Sequence, residues 1–501
     1  MLARNALSVV FQTLVTVVTL FVLYWLLLKW LGSEQLGVWS LVTGSVSLSK
    51  LAELGLTGSV VKFIARYQAK GRPLFAAVAI ETSALSVAAL MLIVAPFACL
   101  GFRMVLHRLL HGELLYVADR MLPLSVISLC ITSVAGVFLS GLDALQRFDL
   151  RALASCSSQV LYFALACLLA RSQGLYGLAW AQVLQSLIVA LISWGILRKQ
   201  MPALRPIPLR WRKREFKKML GYSTMFQANS LAQMLFEPTT KFLLARFDSI
   251  AGVAYYDMAS RMVMQLRSLL VSASQVLVPA VSGMMEREPQ SVPKVYLRTT
   301  EFMAFLGAIA FTSMLLGLPA IDVLWIGHLQ YDFIFYAFAL TVAWWFNAIT
   351  APAYQMYLGI GKLRWNSLGH AVMGIVNIAL GATLGYWIHG YGVVVGTCIS
   401  LTMGSLVSFI AFHREYDLPI SSIMSDRTVR LYVLCALVLT VSAVAVSFVD
   451  WANASIGEIV FICVGFISAY LMLVGIVAHR HPAIGTLCRA VQQLWSGPLL
   501  I

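Results

Sequence analysis

Charged residues are scarce in this chain. Only 11% of its 501 residues are Asp, Glu, Lys or Arg, whereas soluble domains carry roughly 25%. Acidic residues are the rarer kind, with 21 Asp and Glu against 36 Lys and Arg. No polar stretch is longer than about 25 residues once runs of ~20 apolar residues have been set aside. The composition therefore excludes a soluble protein and leaves no room for a separate soluble domain.

Several chemical motifs are also missing. The eight cysteines show no Cys-x-x-Cys spacing, which argues against a disulfide framework or a zinc site. Residues 359–362 (GIGK) lack the leading Gly and the following Ser or Thr of a phosphate-binding loop, so ATP hydrolysis is not expected. His107, His111 and Glu113 lie close in sequence, but without a further ligand they favour a solvated interfacial helix. We therefore predict a protein that is not an enzyme and has no metal or other cofactor.

Most of the sequence consists of long apolar runs. Runs of ~20 apolar residues bounded by charge, Gly or Pro predict an all-α integral membrane protein of about 14 transmembrane helices. The outer loop at 101–113, the longest that this assignment leaves, is too short for the hydrophilic loop of a membrane glycosyltransferase. The predicted helices lie near 7–29, 36–68, 74–100, 114–140, 149–170, 175–197, 218–246, 251–282, 296–319, 330–358, 364–388, 391–412, 428–449 and 456–479.

The second set of six helices repeats the first at a constant offset of 215 residues. Gly37-Val38 recurs as Gly252-Val253, Arg147 as Lys362, and Gly177 as Gly392. A repeated set of membrane helices is typical of transporters whose substrate site lies between the halves. We predict two pseudo-symmetric six-helix lobes followed by two C-terminal helices.

The repeat also predicts the domain boundaries. They are an N-lobe at 1–200, a basic cytoplasmic linker at 201–217, a C-lobe at 218–415, and helices 13–14 with a C-terminal tail at 416–501.

The basic residues predict the orientation in the membrane. Of the 36 Lys and Arg, 26 fall on one side of this topology and six on the other, with four inside helices. Because basic residues accumulate in cytoplasmic loops, both termini are predicted to face the cytoplasm. The basic run at 198–218, with its interleaved aromatic residues, resembles a nucleic-acid patch. A positive-inside loop between the lobes explains it better, so no nucleic-acid partner is expected.

Ionisable and amide side chains inside the spans are the candidate functional residues. They are costly in lipid and usually face a cavity or a partner. Glu237 and Lys241, like Asp257 and Arg261, are spaced four residues apart and could alternatively neutralise each other as packing elements. The residues predicted to line a water-filled cavity are Gln12, Lys50, Glu53, Gln227, Glu237, Lys241, Asp257, Arg261, Arg267, Asn366, His370 and Asn377.

Four segments carry a resemblance to a known family. Residues 31–41 (LGSEQLGVWSL) and 51–56 (LAELGL) resemble its early glycine and acidic-Leu-Gly motifs. Residues 145–148 (LQRF) and 174–177 (GLYG) resemble its fourth-to-sixth helix region. The chain thus resembles the polysaccharide-transporter branch of the multidrug/oligosaccharidyl-lipid/polysaccharide exporter superfamily.

The resemblance implies a flippase that moves undecaprenyl-pyrophosphate-linked oligosaccharide, such as O-antigen units of lipopolysaccharide, from the cytoplasmic to the periplasmic leaflet by alternating access. It implies a bacterial inner-membrane location and, as partners, membrane lipids, a polysaccharide polymerase and a chain-length regulator. Lys50, Arg261, Arg267 and, more weakly, Lys241 match the cationic cavity residues that hold the pyrophosphate. Glu53, Glu237 and Asp257 could instead bind a coupling cation, H⁺ or Na⁺. The alternatives are a cation-coupled multidrug extruder and a non-transporting scaffold for polysaccharide assembly.

Overall fold

A computed structural model of the chain describes residues 2–47, 56–274, 289–360, 362–423, 425–447 and 454–478. Within these ranges the chain is helical and contains no strand, so the predicted all-α class is confirmed. The helices are α1 Leu2–Ser47, α2 Leu56–Ala69, α3 Pro73–Leu109, α4 Gly112–Ala144, α5 Phe148–Gln200, α6 Lys213–Phe247, α7 Ile250–Ser274, α8 Val292–Ile326, α9 Tyr331–Ile360, α10 Arg364–Glu415, α11 Asp426–Ser447 and α12 Ile456–Ala478.

Eight of these helices are long and apolar enough to cross a membrane. Two of them, α5 with 53 residues and α10 with 52, are more than twice as long as the ~20 residues that one crossing needs. Each is interrupted once, α5 at Gly174 and α10 at Ile388–His389. Residues on either side of these breaks come together: Gln185 donates to Ser158 across α5, and Gly369 packs against Gly404 across α10. Each long helix is therefore a hairpin that supplies two predicted spans.

The predicted repeat is visible in the backbone. The ends of α5 and α10 correspond at the offset of 215 residues to within one residue. Gly174 and His389, which are equivalent, both have left-handed φ values, 60° and 52°. Contacts across the base of each hairpin correspond as well, with Arg147 donating to Gln200 in α5 and Lys362 to Glu415 in α10. His389 lacks the conformational freedom of glycine, so the surrounding packing must hold this turn.

The outer segment predicted at 101–113 is shorter as a loop than expected, and its helical part agrees with the helix predicted around His107. The assumed outer loop at 101–113 is mostly helical, because α3 continues to Leu109 and α4 begins at Gly112. Asp119 accepts a hydrogen bond from Arg103 at 3.1 Å and lies 3.0 Å from His107 Nε2. These polar contacts let α3 extend past the apolar run that the sequence pattern detected.

The chain divides into two compact units, Met1–Asp257 and Met258–Ile501. In the first unit, buried residues of α2, α3, α4 and α5 form a continuous apolar core that includes Ile64, Ile80 and Leu142. In the second, α11 and α12 pack on α8 around Phe305, Leu431 and Tyr470. The predicted boundaries of the lobes, the linker and the C-terminal part stay predictions.

Candidate functional site

The predicted site residues that the structure describes fall into two groups, one in each unit. Lys50 and Glu53 lie outside the described residues, as do the side chains of Gln12 and Gln227. Arg261 is half-buried on α7, one helical turn beyond Asp257. The remaining residues define two polar clusters with different partners.

The first cluster surrounds Lys241 on α6. The Lys241 side chain is only 2% exposed, and its ammonium group donates to Asp257 at 2.6 Å and pairs with Glu237 at 2.8 Å. The Tyr24 hydroxyl of α1 donates to the other carboxylate oxygen of Asp257. Asp257 is fully buried, whereas the Glu237 side chain is 50% exposed. This Lys241 cluster is therefore an ion network in which the basic residue is already matched by acids.

Glycines in α1 allow the close packing around this cluster. A Cβ atom at Gly37 would overlap the backbone carbonyl of Ile250, the first residue of α7. A Cβ atom at Gly44 would lie 3.0 Å from Lys241 Cδ. Larger residues would push α1 away from α6 and α7, so the two glycines allow α1 to pack closely against the Lys241 cluster.

The second cluster surrounds Arg267 on α7. Arg267 Nε donates to the Asn347 side-chain oxygen at 2.7 Å, and Asn347 in turn donates to Ser405 Oγ at 2.6 Å. The guanidinium carbon lies 4.7 Å from the centre of the Trp344 ring. Among the residues that the structure describes, no carboxylate forms an ion pair with Arg267. Arg267 is thus oriented by an amide and an indole, and its charge is not cancelled.

His370 and Tyr354 complete this Arg267 cluster. Their rings pack edge to face with centroids 5.6 Å apart, and both lie within electrostatic range of Arg267. His370 Nε2 is buried and has no hydrogen-bond partner within the described part of the chain. A buried polar atom without a partner is costly. The Arg267 cluster therefore has unused hydrogen-bonding capacity next to an uncancelled positive charge.

The two predicted amides of α10 are used within the hairpin itself. Asn366 donates to the Tyr354 carbonyl and accepts from Ser408, and Asn377 accepts from Thr397 at 3.0 Å. Both Asn side chains are buried. They connect the arms of the hairpin and the neighbouring helix, which leaves His370 as the α10 residue in the Arg267 cluster.

Sequence reasoning missed Trp344, Asn347, Tyr354 and Ser405. Asn347 was detectable from the sequence, because it is the single amide in the uncharged stretch 333–353 of α9, and strongly polar groups inside spans are usually functional or paired. Aromatic residues and serines are common in membrane helices, so the other three carried no distinguishing signal.

Comparison with known proteins agrees with this architecture. The family model described as "Polysaccharide biosynthesis protein" matches residues 2–285, which is more than half of the chain. The chain belongs to this family. A search of the curated proteins gave no match.

Solved structures of the same fold are transporters. The chain is similar to the lipid II flippase MurJ in an inward closed conformation, at a TM-score of 0.74 and 14% identity, covering 95% of this chain and 99% of that one. It is also similar to an inward-facing MATE family multidrug resistance transporter of the MOP superfamily, at a TM-score of 0.66 and 16% identity over 81% and 98% of the two chains. A MOP superfamily transporter from Pyrococcus furiosus gives a TM-score of 0.61 at 16% identity over 83% and 96%. This is a multi-pass membrane protein with the fold of flippases and transporters, not of enzymes.

Proposed function

We propose that the protein is a flippase for undecaprenyl-pyrophosphate-linked oligosaccharide, moving it from the cytoplasmic to the periplasmic leaflet by alternating access. The product would serve cell-surface polysaccharide synthesis, such as O-antigen assembly for lipopolysaccharide, at the bacterial inner membrane. Membership of the polysaccharide biosynthesis family and the MurJ-like fold support a lipid-linked substrate. The observation that carries the proposal is the Arg267 cluster, where a basic side chain inside the membrane fold has no acidic partner among the described residues.

The geometry of Arg267 suits a diphosphate. Asn347 occupies its Nε atom and Trp344 lies against the guanidinium plane, which leaves the terminal nitrogens for a ligand. Guanidinium groups bind phosphate oxygens in a bidentate fashion, and such charge-assisted hydrogen bonds are about twice as strong as neutral ones. His370 Nε2 would supply a further polar contact beside the same anion. Lys50 and Arg261 stay proposed as additional cationic contacts.

Lys241 has a different role in this proposal. Its ammonium group is held by two carboxylates, so binding a diphosphate there would first require breaking a buried ion pair. We therefore assign Lys241 to holding α6, α7 and α1 together. Asp257 and Glu237 are the proposed site for a coupling cation, H⁺ or Na⁺.

A cation-coupled multidrug extruder is the second candidate function. The similarity to MATE family transporters supports it, together with the fully buried Asp257. Such a protein would use the Lys241 cluster as its working site and would not need Arg267. The two functions therefore differ in which cluster is essential.

Replacement of Arg267 separates the two functions. We expect Arg267→Ala to abolish surface glycan export in cells and leaflet exchange of labelled lipid-linked oligosaccharide in liposomes, with Arg267→Lys retaining a part of both. Arg246→Ala is the matched control, because Arg246 is an exposed arginine in the last turn of α6 and its loss should leave export unchanged. Undiminished export by a correctly inserted Arg267→Ala protein would exclude the proposed role of Arg267 and favour the extruder.

A further inference from the structure

The segment between α5 and α6 is fixed against α3. We call residues 201–212 the strap. Glu81 of α3 is fully buried and accepts from Arg210 Nη2 at 2.6 Å and Nε at 3.0 Å. The backbone N–H groups of Arg205 and Arg210 donate to the same carboxylate at 3.2 and 3.0 Å. One buried acid therefore pairs with the strap at two positions and holds it in a single register.

Two further contacts continue this attachment toward α6. Trp211 Nε1 donates to Ser86 at 3.0 Å, and the Arg212 N–H donates to Thr82 at 3.2 Å. The hydrogen bond to Glu81 raises the pKa of the Arg210 guanidinium, so this residue stays charged. The strap is therefore held against α3 within the first unit by several hydrogen bonds.

The opposite side of the strap is apolar and open. Ile207 and Leu209 are 63% and 66% exposed. They flank Pro208, where the Leu209 N–H donates to the Ile207 carbonyl at 2.9 Å, while the next residue, Arg210, points to Glu81. Two neighbouring large apolar side chains this exposed are unusual in a polar connection and indicate an interaction surface.

Basic residues follow directly on this apolar row. Arg212, Lys213, Arg214 and Lys217 are exposed at the start of α6. Glu81 is bonded to Arg210, and Glu215 is buried and bonded to Lys218 at 2.8 Å and to Tyr67 at 2.6 Å. The surface beyond the strap therefore combines apolar insertion with uncancelled positive charge.

We propose that the strap and the first turn of α6 form a binding site for anionic phospholipid. Ile207 and Leu209 insert among the acyl chains, while Lys213 and Arg214 bind the headgroup phosphates. A membrane is the partner that fits, since the strap lies on a membrane-spanning helix and basic residues next to apolar ones favour anionic lipid surfaces. Because Glu81 fixes the strap against α3, lipid bound here stabilises the folded first unit.

Thermal unfolding of the full-length protein in detergent tests the site. Addition of phosphatidylglycerol should raise the Tm of the native chain by about 3 °C more than addition of phosphatidylcholine. K213Q/R214Q should lose this difference. R198Q/K199Q is the matched control, since it removes two exposed basic residues at the end of α5 and should keep the full difference. An unchanged phosphatidylglycerol effect in K213Q/R214Q would overturn the proposal.

A second variant tests the apolar row and excludes other partners. I207S/L209S leaves every side-chain contact of the strap to Glu81, Thr82 and Ser86 in place, so it should fold. It should bind less phospholipid of either headgroup, measured as phospholipid retained per protein after purification. If I207S/L209S keeps the native lipid content and the native response to phosphatidylglycerol, the apolar row serves a protein partner and the proposed lipid site is wrong.

Discussion

Lys241 and Arg267 are both basic residues within the helices of this membrane protein, yet their surroundings differ in kind. Lys241 is matched by Asp257 and Glu237, with Tyr24 on the far side of Asp257. Arg267 is held by Asn347 and Trp344, and by no carboxylate within the described ranges. The carboxylates neutralise the positive charge of Lys241, whereas Asn347 and Trp344 fix the orientation of the Arg267 guanidinium without neutralising it. A basic residue in a span therefore indicates a binding site only when its partners leave its charge available.

The physical reason is the cost of removing charges from water. A buried ion pair offsets that cost internally and then resists separation. A guanidinium contacted by an amide and an aromatic face keeps its net charge, and in a low-dielectric environment that charge attracts an anion more strongly than it would in water. A basic residue inside a span can therefore either hold helices together through an ion pair or bind an anionic ligand.

Breaking the Lys241 cluster should produce the largest effect on stability. Lys241→Ala leaves Asp257 buried without its cation, which should lower the free energy of unfolding by about 3–5 kcal/mol. The double variant Lys241→Met with Asp257→Asn should recover most of this loss, because no uncompensated buried charge remains. Denaturant unfolding in detergent measures both. Equal instability of the single and double variants would show that packing, and not charge pairing, holds this region.

An acid introduced into the Arg267 cluster should reduce transport and not stability. Asn347→Asp places a carboxylate beside Arg267, which should reduce export by about 10- to 100-fold through competition with the substrate anion, on the basis of about 1.5–3 kcal/mol for a charged hydrogen bond. The new ion pair should offset the hydrogen bond that Asn347 donates to Ser405, so the Tm should stay close to that of the native chain. Export is measured as surface glycan, and stability as Tm. Native export by Asn347→Asp would mean that Arg267 does not bind the anion.

The close packing of α1 in the Lys241 cluster predicts a smaller loss of stability. Gly37→Ala would force a methyl group onto the carbonyl of Ile250, and we expect a cost of about 1–3 kcal/mol, typical of overpacking. Gly101→Ala is the control, because no atom lies within 4 Å of a Cβ atom there. Denaturant unfolding should distinguish the two, and a Gly37→Ala protein as stable as Gly101→Ala would contradict the packing.

The smallest effect is expected for the surface ion pair between Lys362 and Glu415. The hydrogen bond to Glu415 raises the pKa of Lys362 above its usual 10.5. The folded state therefore favours the charged amine, so this contribution to stability is complete below pH 10.5 and is lost as the pH rises through the higher folded value. Because the Lys362 side chain is 56% exposed, the effect should be slight. The Tm of native and Lys362→Gln proteins, followed from about pH 9 to about pH 12, should converge at the alkaline end. A constant difference would rule out this titration.

Several features of the fold could be predicted from the sequence. Apolar runs indicated the helices, and the offset of 215 residues related Gly37 to Gly252 and Arg147 to Lys362. The pairing of Glu237 with Lys241 followed from their spacing of four residues, which brings side chains together on one helix face. Loop ends were less accurate, as at 101–113, because short polar segments can continue a helix.

The candidate site was predictable only in part. Arg267 and His370 stood out as polar residues in apolar segments, but Asn347 lies 80 residues from Arg267 in sequence, and Tyr24 lies 233 residues from Asp257. Sequence spacing does not report contacts between distant helices. The exposed row on the strap was likewise hidden, since only the bonds of Arg210 to Glu81 decide which side faces outward.

The sequence by itself determined that this protein is a membrane-spanning helical protein with an internal repeat, because hydrophobic length and internal periodicity can be read along the chain without knowledge of its tertiary contacts. The tertiary structure alone decided which basic side chain pairs with carboxylates, as Lys241 does, and which is held by neutral groups, as Arg267 is. That distinction depends on the side chains that distant helices bring within hydrogen-bond reach, and the free energy of a charge inside a membrane protein is set by those few contacts.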